Sequence, residues 1–258
     1  MAISQKVVDR LLAESLLDST KEPAFLRALL DAMLYAHTPK NDSPNRTLRF
    51  LQFVTPDGIT ALPVFTDRGK AEFASKGHAR VVSVLGRQLL EATRGATLAI
   101  NPNDRWCMLY PEEISELLST GSAAVIFSEH IPDDTAIATA LPANPPHWLI
   151  ETLQGIFAAH PSVERAYLVE MRSSQRMDVS RLVVAVAMPT LIAERVCRAA
   201  VTEVQLKHPN PDCIVDLTRI DPTADLPPWL AHLSPEPIYR REWAQALRGH
   251  PPGTSGVI

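Results

Sequence analysis

The stretch that most constrains this chain is Leu62-Pro63-Val64-Phe65-Thr66-Asp67. Ile59, Ala61, Pro63 and Phe65 alternate with Thr60, Leu62, Val64 and Thr66 behind the turn signal Pro56-Asp57-Gly58, the pattern of a strand entered through a tight turn. A proline donates no ladder hydrogen bond, so Pro63 places this strand at a sheet edge or beside a bulge. Thr66 or Asp67 then caps a helix running through Ala71 and Phe73, because a short side-chain oxygen accepts from the orphan N–H groups of the first turn. Strand, cap and helix form one unit, to be read together with Gly86-Arg87-Gln88-Leu89-Leu90 and Ile100-Asn101-Pro102.

Around this unit the periodicity changes repeatedly. Val7, Val8, Leu11, Leu12 and Leu16 repeat at helical spacing, and Phe25, Leu26, Leu29, Leu30, Met33 and Leu34 predict a second helix opened by Pro23. His37 to Asn45 reads as a polar loop. Leu48 to Val54 and Ile59 to Phe65 predict a hairpin, and Val81 to Leu85, Ala96 to Ile100 and Trp106 to Tyr110 predict further strands. Gly86 breaks into a short helix, and Pro111-Glu112-Glu113 opens another with Ile114, Leu117 and Leu118. The order describes an α+β domain over residues 1–130 with a mixed sheet.

Pro132, Pro142, Pro145 and Pro146 mark residues 131–146 as a proline-rich linker. Beyond it, residues 147–240 predict a smaller α-β-β-α-β domain, an antiparallel sheet with both helices on one face. Residues 221–238 carry Leu226-Pro227-Pro228-Trp229-Leu230 and read as a coil wrapped on that domain, since Trp229 and Tyr239 are poorly left in water. Residues 241–258 read as a partly disordered tail.

Composition narrows the function classes. A net charge of −4, from 25 Lys and Arg against 29 Asp and Glu, argues against nucleic acid or an anionic membrane as the main partner. Cys107, Cys197 and Cys213 are odd in number, widely spaced and set among apolar residues, as expected of reduced intracellular thiols. No secretory leader and no apolar run of the roughly 18 residues a membrane span needs is present, which places the chain in the cytoplasm.

Catalytic signatures are missing. There is no phosphate-cradling glycine loop, no Cys-x-x-Cys and no His-Glu-x-x-His, so no catalytic residue, metal site or cofactor is assigned. The eight histidines show no helical metal spacing and read as surface or turn residues, and Cys107 and Cys197 as buried, inert thiols. The best polar candidate is Asn101-Pro102-Asn103-Asp104-Arg105, a loop leaving a strand, whose residue types are also plain turn chemistry. Thr66, Asp67 and Arg87 join Asn101, Asp104 and Arg105 across the sheet if the strands are neighbours, making a ligand or partner surface.

With these motifs in place, the chain resembles the SseB family. The resemblance is carried by Pro23 to Leu34, the Leu62 to Asp67 element, Gly86-Arg87-x-Leu89-Leu90, Ile100-Asn101-Pro102 and Pro111-Glu112-Glu113-Ile114. Val163-x-x-Ala166-Tyr167-Leu168 and Pro237-Ile238-Tyr239 extend it into the second half. It implies a two-domain bacterial cytoplasmic protein, linked by the family's name to enhanced serine sensitivity, and it carries over no catalytic residues. Three functions are then expected, in order. The first is a non-enzymatic protein binding a protein partner or a small ligand in the cleft between its domains. The second is an amino-acid-responsive regulator or enzyme recognising a small polar metabolite such as serine. The third is an accessory or immunity-type protein of a secretion system. Oligomeric state and the identity of the ligand are not legible in the sequence.

Overall fold

Pro63 lies inside a sheet rather than on its rim. In the computed structural model, which describes residues 3–243 apart from 42–47, 57, 105, 122–123, 128–136, 174–175 and 210–211, the chain divides into two compact units, Met1–Phe127 and Ser128–Ile258. The tail from 244 onward lies outside the described residues.

The first unit runs α1 (Gln5–Ser15), α2 (Glu22–Leu30), β1 (Met33–Thr38), β2 (Phe53–Val54), β3 (Thr60–Phe65), α3 (Arg68–Ser75), β4 (Arg80–Leu85), α4 (Gly86–Ala92), β5 (Thr97–Ile100), β6 (Cys107–Leu109) and α5 (Pro111–Thr120). Its sheet is mixed, in the order β4-β1-β3-β5-β6, with β2 also on β3. Only β3 and β5 pair in parallel, Ala61↔Thr97 to Val64↔Ile100.

Two expectations change here. The second helix stops at Leu30, and Met33–Thr38 is a strand paired on both sides, with β4 and with β3. An apolar run of this kind satisfies a helix and a strand alike: Leu34 follows Leu30 at i+4, and Ala36 follows Leu34 at i+2. The sheet decides, because Leu34 and Ala36 reach the core only as alternate residues of β1. The expected polar loop therefore begins later, and residues 42–47 of it lie outside the described residues. Pro63, expected at a sheet edge or beside a bulge, sits where the partner of β3 changes. Pairing with β1 ends at Ala36↔Val64, and β2 takes over at Phe53↔Ala61. The missing N–H falls in the gap between two ladders, so an interior strand tolerates it. The first strand of the hairpin is correspondingly short, Phe53–Val54 instead of Leu48 to Val54.

α1, α2, α4 and α5 cover one sheet face. Val8, Leu12, Phe25 and Leu29 pack with Leu34, Val64, Leu98, Leu89, Ile114 and Leu117 in one cluster. Gly86 permits the closest approach in it, since a Cβ there would lie 1.7 Å from the Leu29 carbonyl oxygen. The Gly86 N–H donates to Ala32 O at 2.8 Å. Glycine is required at this position by contact, not by dihedral angle.

The second unit runs β7 (Ile137–Ala140), α6 (His147–Ala159), β8 (Arg165–Ser173), β9 (Arg176–Ala187), α7 (Thr190–Lys207), β10 (Ile214–Ile220), α8 (Pro228–Ala231) and β11 (Tyr239–Arg240). Residues 137–140, inside the stretch expected to be linker, are an edge strand on β8. β8 and β9 are antiparallel, but β10 joins β9 in parallel, which corrects the all-antiparallel expectation. The 18-residue α7 is long enough to make the crossover that a parallel neighbour requires.

Both faces of β8 and β9 are covered where they run apolar without a break, at 166–169 and 182–187. Leu149, Leu153 and Phe157 of α6 and Val196 and Ala200 of α7 pack on Ala166, Leu168, Val184 and Val186. On the other side, Leu226, Trp229, Leu230 and Leu233 pack against Tyr167, Val169, Val183 and Ala185. The proline-rich segment is wrapped on the sheet, and Thr139 Oγ1 fastens it by donating to Trp229 O at 2.7 Å.

Candidate functional site

Because β3 and β5 are parallel neighbours, the residues that leave them, Thr66 and Asn101, end up side by side. The Asn101 N–H donates to Val64 O at 2.8 Å, and Asp104 N returns to Asn101 O at 3.0 Å, closing a tight turn. Asn101 is wholly buried and has φ +51°, a left-handed conformation that asparagine adopts more readily than most residues.

Both ends of its amide are used. Oδ1 accepts from the Thr66 N–H at 3.0 Å, and Nδ2 donates to Thr66 Oγ1 at 2.9 Å. Having accepted from Asn101, the Thr66 hydroxyl donates to Asp9 Oδ1 of α1. Lys70 Nζ then lies 3.2 Å from Asp9 Oδ1 and 3.2 Å from Asp104 Oδ2. One continuous chain of polar contacts runs from amide to hydroxyl to carboxylate to ammonium to carboxylate.

Asp67, not Thr66, caps α3: its Oδ1 accepts from the Lys70 N–H at 2.9 Å. The other oxygen takes the Gln5 amide of α1. Burial works against the Asp67 charge, but the Lys70 N–H, the Gln5 amide, the Gly69 N–H and the Lys70 ammonium outweigh it and hold the carboxyl below its ordinary value. Lys70 shows the mirror balance. Burial opposes its charge, while hydrogen bonds to Asp9 and Asp104 and their negative charges raise it.

Four of the six candidate residues, Thr66, Asp67, Asn101 and Asp104, thus share one network. Arg87 stands apart, exposed on α4, and no contact among the described residues joins it to the others. Arg105 lies outside the described residues. Three members escaped sequence reasoning, namely Gln5, Asp9 and Lys70. The residues they meet are 34 to 62 positions away along the chain, and only the docking of α1 and α3 at the ends of β3 and β5 brings them together. One histidine departs from the surface-or-turn reading: His37, within β1, is buried against Phe65 with Nε2 at 2.8 Å from Ala71 O, whereas His160, also buried, sits at a turn where its carbonyl accepts from the Val163 N–H at 2.9 Å.

Chemically, Thr66 and Asp9 have the outline of a hydroxyl and its base. Yet the hydroxyl is almost completely buried, and the carboxylate is matched by Lys70. The arrangement ties α1 to the ends of β3 and β5. Among the described residues, no group of three or more His, Cys, Asp or Glu side chains could hold a metal ion, and no helix is long and apolar enough to cross a membrane.

Residues 8–116 match the SseB protein N-terminal domain, and residues 131–241 match the SseB protein C-terminal domain. Protein SseB of Escherichia coli (strain K12) is 23% identical over 190 residues, covering 71% of this chain and 73% of the relative. Protein SseB of Shigella flexneri matches with the same identity and coverage. No solved structure matches the chain.

Proposed function

The chain belongs to the SseB family, through both of the family's domains, and from that premise we propose that it is a non-enzymatic protein that binds a protein partner. One observation supports this reading above others: where a ligand or partner surface was expected, the polar groups bond to one another. A buried network of this kind rigidifies what it joins. Here it fixes α1, whose far end leads to Leu16 and to Leu17, the latter 89% exposed. An apolar side chain so exposed on a rigidly held element is suited to contact a partner.

The test is retention of proteins from a native lysate on the immobilised full chain, compared with a Leu16→Ser, Leu17→Ser variant. Leu17 is 89% exposed and Leu16 46%, and circular dichroism of the variant checks that the fold is kept. A stoichiometric protein lost from the variant is the expected result. Retention that is identical in the two forms overturns the assignment to α1.

A second reading rests on the rim of the same network. Lys70 and Asp104 remain partly exposed, at 31% and 54% of the side chain, and present opposite charges complementary to an amino acid's own carboxylate and ammonium. Serine is the first candidate. Calorimetric titration of serine into the full chain and into Lys70→Met distinguishes the readings: heat that vanishes in the variant favours the metabolite.

A further inference from the structure

Among the described residues, β10 is an open sheet edge: it pairs with β9 alone, from Ile214↔Arg181 to Ile220↔Ala187. Ile220 O accepts from Met188 N at 3.3 Å, which sets the alternation of the ladder. Ile214, Asp216, Thr218 and Ile220 turn their backbone groups to β9, so Val215, Leu217 and Arg219 turn their N–H and C=O groups outward.

Edges of this kind are normally guarded by charges, bulges or prolines. β10 contains no proline, and its two charged side chains are drawn inward. Asp216 Oδ2 pairs with Arg181 Nη1 of β9 at 3.2 Å. Arg219 Nη1 donates to Met188 O at 3.3 Å. Among the described residues the edge itself is left without a guard, and Ile214 is 45% exposed upon it.

Beside the edge runs a groove of about 640 Å³ between α7 and β10, walled by Val201, Val204, Gln205, Cys213, Val215 and Leu217. Its volume is that of an ordinary ligand site. Asp212 lies at one end, and no cation among the described residues pairs with it. Its charge reaches the groove: the Cys213 thiol is pushed up first by burial and then by Asp212.

We propose that β10 accepts an extended segment of another protein as an added strand, bonded to Val215, Leu217 and Arg219, with alternate apolar side chains in the groove and a basic residue over Asp212. Strand addition of this type takes affinity from the backbone and selectivity from pockets for alternate side chains. A second copy of this chain fits less well. Two β10 strands meeting about a two-fold at Leu217 would set Val215 against Arg219 and Cys213 against Asp221, and would bring no cation to Asp212. The site belongs to the C-terminal unit and does not depend on the reading of the α1 network.

The test uses the full chain and labelled, end-capped heptapeptides alternating valine and threonine, with lysine at the first or the last position. One orientation binds, measured by fluorescence anisotropy, and protects the Val215, Leu217 and Arg219 amides from hydrogen exchange. Replacing its lysine by glutamate weakens binding about fivefold, the scale of one exposed ion pair. Methylating its alternate backbone nitrogens, which leaves the protein untouched, abolishes binding. The exposed substitution Asp212→Lys reverses the preference toward the glutamate peptide. The proposal is overturned if the lysine peptides bind no better than their N-methylated forms, or if the protected amides lie elsewhere. It is equally overturned if these amides become protected without peptide as protein concentration rises, which assigns the edge to a second copy.

Discussion

Asn101 shows how a residue with an ordinary turn sequence acquires an exceptional position. Asn-Pro-Asn-Asp is standard turn chemistry, and its prominence as a polar candidate was legible from the strand that precedes it. Its burial was not, because burial depends on β3 lying in parallel beside β5, a pairing of residues more than 30 positions apart. The side chain and the backbone can be separated experimentally. Asn101→Ala removes the acceptor of the Thr66 N–H, a loss of about 1–3 kcal/mol for a buried donor, and keeps a Cβ at positive φ. Asn101→Gly loses the same acceptor but relieves that Cβ strain, by about 1 kcal/mol. Urea unfolding is expected to place both below the wild type, with the glycine variant the more stable of the two. Equal midpoints for the two variants would show that the left-handed conformation relaxes when the side chain is removed.

Elements explain which parts of the fold could be read in advance. α5 was legible down to its opening Pro111, and Glu113 Oε2 accepts from the Tyr110 N–H at 3.1 Å as an N3 glutamate should. α3 was legible from its cap, although Thr66 and Asp67 looked equivalent until Asn101 claimed the threonine. β1 was not legible, because Leu30, Leu34 and Ala36 fit two periods and only its neighbours β3 and β4 choose between them. The α3 cap carries a pH signature. The folded-state pKa of Asp67 is lowered, so its stabilisation is complete above the ordinary carboxylate value of 3.8 and is lost as pH falls through 3.8 toward the lower folded value. Asp67→Ala is therefore expected to be about 1 kcal/mol less stable than the wild type at neutral pH. Guanidinium unfolding at successive pH values should show the two curves converging below 3.8. A gap that persists unchanged to the lowest pH would assign the effect to the shape of the side chain instead of its charge.

At the scale of the molecule, each unit has a core of its own, one built on β3 and its neighbours and the other on both faces of β8 and β9. Two unfolding transitions are therefore expected by calorimetry. Gly86→Ala forces a methyl group against the Leu29 carbonyl and should lower only the N-terminal transition, by about 3 kcal/mol, whereas Leu153→Ala should lower only the C-terminal one, by about 2–5 kcal/mol. Transitions that shift together in either variant would show a single cooperative unit. The C-terminal sheet is also closed by its own last pieces: Tyr239 pairs with Ala166, Gln154 Nε2 donates to Ile238 O at 2.7 Å, and Trp229 O accepts from Thr139. For a chain emerging from the ribosome this is a matter of timing. The N-terminal unit has its strands and helices once α5 is out, and can fold while synthesis continues. The C-terminal hairpin can take α6 and α7 onto one face as they emerge, but its other face must wait uncovered until residues 226–233 arrive, and in that interval it is exposed to chaperones and to other nascent chains.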